Sequence, residues 1–408
     1  MNILLIHQAF VSPNEAGGTR HFEFARRCQE QGHAFTIVAS NLSYLSGQRV
    51  SPAGGLVREE VVNDIRILRS YTYPSLHRSF VWRILSFLSF MVTSLIAALK
   101  AGPIDIVMGT SPPIFQAVSA WLVAVLRRRP FLLEVRDLWP SFAIDMGVLT
   151  NPILIRAARR LERFLYARAT HLVVNSPAYR DNLIEFGIPP SKVTLIPNGV
   201  DPAMFDPSAD GKAVRDEFGL DGRFVVTYAG ALGMANDIPV ILKAAQRLLH
   251  RRDIHFLLVG DGKERRDLVQ MVTALGLDNV TFAGSRPKSQ MRDFLAASDL
   301  CLATLQNIPM FRTTYPNKVF DYMAAARPTV LTIDGVIRDV IEAAAGGLFV
   351  TPGNDQELAN TISHLADSPT EVHNMGVAAR EYVVDHFNRD DHSKAFVALL
   401  ETVASKKP

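Results

Sequence analysis

A helical segment lying between two strand-like apolar runs opens this chain, and few folds accept that order. Residues 2–10 begin Asn2-Ile3-Leu4-Leu5-Ile6 and are apolar over a length that suits a buried strand. The run lacks the basic start and cleavage site of a secretory leader, so a strand is expected there. Gly17-Gly18 then make a loop, and Arg20 to Gln31 a helix with Phe22, Phe24, Ala25 and Cys28 available to a core; Gly32-His33 ends it. Phe35-Thr36-Ile37-Val38-Ala39 follows as a second strand. Strands joined through a helix run parallel, and a doubly wound parallel sheet places its ligands at the carboxyl ends of its strands. The alternation restarts at Phe224-Val225-Val226-Thr227-Tyr228-Ala229-Gly230. The expectation is an α/β chain of two Rossmann-like doubly wound domains, residues 1–197 and 198–385, with a terminal helix over 386–408.

Composition narrows the function classes. The 408 residues are 48% hydrophobic, enough for two cores, and the two cysteines, Cys28 and Cys301, lie one in each half without ligand-like spacing. A disulfide framework or zinc site is therefore not expected, and a reducing cytoplasm is. The net charge of +3 is unevenly shared: residues 1–200 hold 21 Lys/Arg against 13 Asp/Glu, and residues 201–408 hold 22 against 27. A basic front half suits an anionic partner, nucleic acid or the cytoplasmic leaflet. No nucleic-acid motif is present, so the membrane is preferred. Residues 78–100 strengthen that choice, because Ile84 to Leu99 is sixteen residues without charge, flanked by Arg78, Trp82 and Arg83. The run is short for a spanning helix and suits one lying at the lipid interface, although a core helix would read the same way. Arg127-Arg128-Arg129 closes the next apolar helix and adds a candidate lipid contact. Peripheral attachment to the inner face of the cytoplasmic membrane is the expected location.

Two strand ends carry chemistry. Phe131-Leu132-Leu133-Glu134-Val135 runs into Arg136-Asp137-Leu138-Trp139-Pro140, so a charged pair stands at a carboxyl edge; a buried pair that only fixes the loop is the plain alternative. Asp299 to Thr304 leads to a polar loop and then to Pro316-Asn317, which start a short helix through Val319, Phe320, Met323 and Ala324. Lys318 and Asp321 share one face near that helix's N-terminus, where free N–H groups favour an anion. An ammonium suits phosphate and a carboxylate suits a ribose diol; an ordinary i,i+3 ion pair is the competing reading.

Asp321-Tyr322-Met323-Ala324-Ala325-Ala326-Arg327-Pro328 resembles the signature of family-4 retaining glycosyltransferases, in which a glutamate in the motif E-[AYF]-M-A-x-G-x-P holds the ribose of a nucleotide-sugar. Here the carboxylate is Asp, the helix-ending Gly is Ala326, and the family's second glutamate, eight residues upstream, falls on Thr313. Phe311-Arg312-Thr313, Pro316-Asn317-Lys318 and Glu134-Val135-Arg136-Asp137-Leu138-Trp139-Pro140 resemble the branch of bacterial L-fucosamine transferases of surface-polysaccharide assembly. Pro197-Asn198-Gly199-Val200-Asp201 resembles the turn joining the family's two halves, Gly260-Asp261-Gly262 the turn beside its nucleotide, and Val280 to Pro287, with Arg286, the segment that meets the base.

The resemblance implies the GT-B arrangement, two Rossmann-like domains facing across a cleft, with the last helix crossing back to the first domain. It implies transfer of a sugar, an N-acetylated one by expectation, from a UDP-sugar donor to a polyprenyl-diphosphate-linked or other saccharide acceptor. Asp137, Arg136 and Lys318 become catalytic candidates. Gly17, Gly18, Gly230, Gly260, Asp261, Gly262, Arg286, Arg312, Thr313, Thr314, Asn317, Lys318 and Asp321 become donor-binding ones. No Asp-x-Asp occurs, so no metal or other cofactor is expected. Many family members meet the donor diphosphate with an Arg and a Lys whose positions fall here on Ala231 and Asn236; Lys318 and Arg312 are the expected replacements. A UDP-sugar 2-epimerase of the same shape, or a non-catalytic subunit, are the rival readings.

Overall fold

The computed structural model describes residues 1–12, 18–43, 47–50, 55–74 and 80–405, the side chains of residues 80 and 81 excepted. The chain divides into two compact units, Met1–Pro197 with Asp390–Pro408, and Asn198–Arg389.

The first unit runs β1 (Asn2–His7), α1 (Arg20–Glu30), β2 (Ala34–Ser40), β3 (Val57–Val62), β4 (Ile65–Ser70), α2 (Phe80–Leu99), β5 (Ile106–Ser111), α3 (Phe115–Arg127), β6 (Phe131–Val135), α4 (Ser141–Asp145), α5 (Pro152–Arg168), β7 (His171–Val174), α6 (Pro177–Glu185) and β8 (Val193–Leu195). Its sheet has the order β3-β4-β2-β1-β5-β6-β7-β8. All neighbours are parallel except β3 and β4, an antiparallel hairpin turned by Asn63 and Asp64 at φ 48° and 63°. Two consecutive left-handed residues give the tight turn that the Asn-Asp pair predicts. Alternation along the strands divides the core. Ile3, Leu5, Ile37 and Met108 face α1 and the terminal helix, which arrives as α15 (Arg389–Ala404) after the second unit; Phe24 stacks on Phe396 with centroids 4.3 Å apart. On the opposite face α3 lies so close to β5 that a Cβ on Gly109 would meet the Ala120 Cβ at 2.8 Å.

The second unit runs α7 (Lys212–Phe218), β9 (Phe224–Ala229), α8 (Ile238–Arg247), β10 (Ile254–Val259), α9 (Arg265–Leu275), β11 (Val280–Gly284), α10 (Met291–Ala296), β12 (Leu300–Thr304), α11 (Asn317–Ala324), β13 (Thr329–Thr332), α12 (Val336–Ala343), β14 (Gly347–Phe349), α13 (Asp355–Ala366) and α14 (Pro369–His386). Its parallel sheet has the order β11-β10-β9-β12-β13-β14, so the winding reverses between β9 and β12, where such sheets bind ligands. In the first unit the corresponding reversal lies between β1 and β5.

α11 is fixed at both its middle and its end. Tyr322, 1% exposed, accepts from the Ala229 N–H at 2.8 Å and donates to the Ala229 carbonyl at 3.2 Å, tying the helix to the carboxyl end of β9. The helix closes with a Schellman pair, Arg327 N–H to Tyr322 O at 2.9 Å and Ala326 N–H to Met323 O at 3.0 Å. That closure needs a left-handed residue, and Ala326 supplies it at φ 54° despite its Cβ. Ala326→Gly should therefore raise unfolding free energy by about 1 kcal/mol, read as a higher denaturant midpoint at unchanged slope.

Candidate active site

Lys318 stands at the β9–β12 reversal. Its ammonium donates to the Tyr228 hydroxyl at 2.7 Å and to Asn236 Oδ1 at 3.2 Å. Tyr228 passes its own proton to the Ala231 carbonyl at 2.9 Å, and Thr304, at the end of β12, donates to the Asn236 carbonyl. Gly230 leaves the ammonium room, since a Cβ there would meet Lys318 Nζ at 2.9 Å. Among the described residues no carboxylate lies within ion-pair distance of Lys318. Burial pulls its pKa down to about 7.

The i,i+3 pair between Lys318 and Asp321 does not form. Lys318 turns toward the end of β9, and Asp321 pairs with Lys288, both side chains mostly covered and the Lys288 ammonium 5.0 Å above the Phe205 ring. Asp321 and Lys318 thus present two separate polar groups from one helix.

The remaining donor-side candidates divide. Gly260 and Gly262 are required by backbone packing: a Cβ would meet the Gly230 carbonyl oxygen at 1.8 Å and the Leu232 carbonyl oxygen at 2.3 Å. Gly230, Leu232 and Glu264 N–H groups bond across the same two loops, so the Gly-Asp-Gly turn shapes the floor beside Lys318. Asp261 is exposed and accepts from the Gly262 N–H. Arg286 is engaged elsewhere, paired with Glu217 at 2.8 Å and lying over the Phe218 and Phe294 rings. Thr313 and Thr314 donate to the Met310 and Phe311 carbonyls at 2.6 and 3.0 Å, closing the turn before α11. Arg312 is exposed, 3.9 Å from Asp334, and Asn317 is exposed in the first turn of α11. Gly18 is exposed, and Gly17 lies outside the described residues.

In the first unit Glu134 is wholly buried in β6 and answered on every side. Arg20 donates to Oε1 at 3.0 Å and His21 to Oε2 at 2.5 Å, while the other two guanidinium nitrogens of Arg20 reach the Ile196 and Pro197 carbonyls. Burial would raise Glu134; His21, Arg20 and Arg136 outweigh it and hold the carboxyl below the usual range. Burial lowers the pKa of His21, so a neutral ring donating Nε2–H fits this site. Arg136 donates to His7 Nε2 at 3.0 Å, which leaves the His7 proton on Nδ1, a buried atom without a partner. Thr110 Oγ1 and Asn175 Oδ1 are likewise unpartnered. These atoms lie near the carboxyl ends of β1, β5 and β7.

Asp137 takes a 3.3 Å bond from the Tyr179 hydroxyl, and burial pushes its pKa up to about 6 against the opposing Arg136 charge. Arg136 and Asp137 therefore do not form a self-contained pair. Tyr228, Lys288 and His7 escaped the sequence reading, each joined to its partner only by long-range folding; Glu134 inside an apolar strand was the visible signal of a charge network. Among the described residues no His, Cys, Asp and Glu side chains group as a metal-binding set.

A glycosyl transferase 4-like domain model matches residues 16–199 and a glycosyl transferases group 1 model matches residues 223–368. The chain is 24% identical over 410 residues to WcaI of Escherichia coli K12, described as a colanic acid biosynthesis glycosyl transferase, covering 97% of this chain and 98% of that one. Against the first curated relatives, at 25–30% identity, it spans only about half of their length, 42–58%. Two solved structures share the fold: sucrose-phosphate synthase from Thermosynechococcus elongatus (TM-score 0.79, 18% identity, 98% of each chain) and Anabaena HepE with UDP-glucose (TM-score 0.73, 19% identity, 98% and 100%). The chain belongs to the family-4 glycosyltransferases of GT-B fold.

The raised Asp137 gives a stability test. With a folded value of about 6 above the ordinary 3.8, the ionised carboxylate destabilises the fold above pH 6, and the penalty vanishes below pH 3.8. Asp137→Asn should raise the melting temperature at pH 8, by up to about 3 kcal/mol in stability, and the gain should disappear near pH 4. An equal gain at both pH values would assign the effect to packing.

Proposed function

We propose that the protein moves a sugar from a UDP-sugar to a lipid-linked or other saccharide acceptor of bacterial surface-polysaccharide assembly, with retention of anomeric configuration. The observation that carries the donor half is the Lys318 ammonium, set among neutral partners at the β9–β12 reversal beside the first turn of α11. A partly buried cation without a counter-charge is costly, and a diphosphate would supply that counter-charge. Loss of the sugar leaves UDP with increased negative charge, so a cation held there lowers the barrier by several kcal/mol, on the order found for one oxyanion donor. The family's missing basic positions, Ala231 and Asn236, lie against this ammonium: Asn236 bonds it directly, and Ala231 through Tyr228. Lys318 thus delivers from α11 the charge that the β9 loop lacks. Arg312 is the second cation of the same loop.

Asp321 would take the ribose hydroxyls, with Lys288 holding one carboxylate oxygen and leaving the other to the sugar. Asp137, ionised at neutral pH, would meet the acceptor hydroxyl or the positive charge developing on the donor, with Arg136 as its neighbour. UDP-glucose in HepE supports a UDP donor, and the likeness to WcaI supports a polysaccharide pathway. The Phe311-Arg312-Thr313 and Pro316-Asn317-Lys318 motifs support the L-fucosamine-type branch and hence an N-acetylated sugar. The relatives are transferases, which does not favour the epimerase reading. The acceptor's lipid would be reached at the inner face of the cytoplasmic membrane through residues 78–100 and Arg127 to Arg129, of which 78 and 79 lie outside the described residues.

Titration calorimetry tests the donor reading. Lys318→Ala should weaken UDP at least about tenfold and leave uridine near wild type, since a charged hydrogen bond is worth about 1.5–3 kcal/mol. The free amine loses its proton near pH 7 and a bound diphosphate would keep it, so wild-type UDP affinity should fall as pH rises above 7; the variant should lose this dependence. Equal losses for UDP and uridine would remove Lys318 from the phosphate site. Release of UDP from a panel of UDP-sugars, with and without a polyprenyl-diphosphate acceptor, tests transfer; an epimer without UDP release would favour the epimerase.

A further inference from the structure

The sequence pointed to two stretches for lipid, and the fold adds a third. α2 buries one face, with Phe90, Thr93, Ser94, Ala97 and Ala98 all under 9% exposed, and turns Trp82, Leu85, Leu88, Val92 and Leu99 outward at helical spacing. Trp82 to Leu99 is long and apolar enough to cross a membrane by length and composition, but its inner face is spent on the unit's own core. An outward stripe on a core helix suits contact with an interface rather than passage through it. α3 lies beside α2, its Phe115 stacked on Phe87 and its Ser119 hydroxyl on the Met91 carbonyl, and ends in Val125 and Leu126, 55% and 61% exposed, before the three arginines.

α5 joins this face through Phe164, whose ring meets Trp121 of α3 edge-on at 4.8 Å. Ala158, Glu162, Leu165 and Tyr166 form its buried side. The opposite side presents Ile153, Arg156, Arg160, Arg163, Phe164 and Arg168, all exposed, with Ile153 at 71%. Its one carboxylate, Glu162, is buried and bonded by the Tyr166 hydroxyl, and the charges of Arg159 and Arg163 act on it. Among the described residues no carboxylate lies within ion-pair distance of Arg156, Arg160 or Arg168, and Arg163 and Arg168 lie over the Phe186 and Phe164 rings with their guanidinium groups toward the surface. Apolar residues interleaved with arginine on one exposed face match the layered chemistry of an anionic bilayer, phosphate above and acyl chain below.

We propose that α5 is a membrane-docking element, its outer arginines contacting anionic lipid headgroups while Ile153 and Phe164 reach the acyl boundary in line with the α2 and α3 stripe. The proposal deepens the membrane reading above and shares its face, but it stands on a different helix. Two variants separate them: Arg156→Gln/Arg160→Gln/Arg163→Gln on α5, and Arg127→Gln/Arg128→Gln/Arg129→Gln after α3. Each is sedimented with vesicles of phosphatidylcholine alone or mixed with phosphatidylglycerol, at low and high salt, with circular dichroism and UDP affinity as controls for the fold. The wild type should bind only the mixed vesicles and release in high salt, and the α5 variant should lose at least about tenfold in binding with both controls unchanged. If only the α5 variant loses binding, the proposal stands and the role of Arg127 to Arg129 falls; if only the other does, the α5 proposal falls. Wild-type indifference to vesicles, preference for RNA over them, or a stable dimer buried on this face would overturn both.

Discussion

Among the described residues no carboxylate pairs with Lys318, whose ammonium meets only the Asn236 amide and the Tyr228 hydroxyl and ring, and the ends of β9 and α11 are arranged to keep it so. The ammonium reaches the end of β9 because Tyr322 pins α11 to the Ala229 peptide group and because Gly230 has no side chain. Gly230 can lie there only because Gly260 lets the neighbouring loop close on it without a Cβ, as Gly262 does against Leu232. Three glycines, a tyrosine and a helix start therefore form one device. A carboxylate in the place of Asn236 would neutralise the lysine and stabilise the fold, yet would repel an incoming phosphate. The neutral amide and hydroxyl orient the ammonium without cancelling it.

The first unit holds the opposite solution. Glu134 is the most buried charge of its network and is met by a guanidinium and an imidazole N–H, so it can stay ionised inside the sheet. Arg20 also donates to the Ile196 and Pro197 carbonyls, so the network fastens the strand end that precedes the Asn198 boundary. A few residues along, Asp137 has one long bond from Tyr179 and a raised pKa. The difference separates the two carboxylates: Glu134 is spent on fastening its strand end, and Asp137, with one long bond at a carboxyl strand end, is the candidate for the proposed chemistry.

Local order was legible because it is written in short-range pattern. The βαβ start, the Arg136-Asp137 strand end and the Pro316-Asn317 helix start all depend on residues within a few positions of one another. Side-chain targets were not legible. Lys318 and Asp321 could pair across one helical turn, and only the packing of β9 and of the Lys288 segment draws them apart. The glycines of the 260–262 turn could serve a ligand or a backbone contact; sequence alone weighs both, and the fold shows a contact that would exclude a Cβ whether or not a ligand is bound. Arg286 belonged to a ligand-facing segment by resemblance, but Glu217, from a helix sixty-nine residues away, has its guanidinium.

Asp321 and its departure from the family glutamate bring these strands together. An aspartate on α11 ends one methylene nearer the helix axis, which shortens its reach into the site. Lys288 covers one of its oxygens from a separate segment, so the carboxylate loses rotational freedom that the longer side chain would keep. A fixed, half-occupied carboxylate can still accept from a diol, but with fewer free lone pairs and a tighter geometry. Thr313, where the family has its second glutamate, uses its hydroxyl to close the turn ahead of the helix and adds no anion. The second unit has therefore lost negative charge from its signature loop while replacing positive charge at the β9 end. On the proposed function, that shift would favour a donor gripped mainly through its phosphates, with its sugar ring held by fewer charged contacts from this loop.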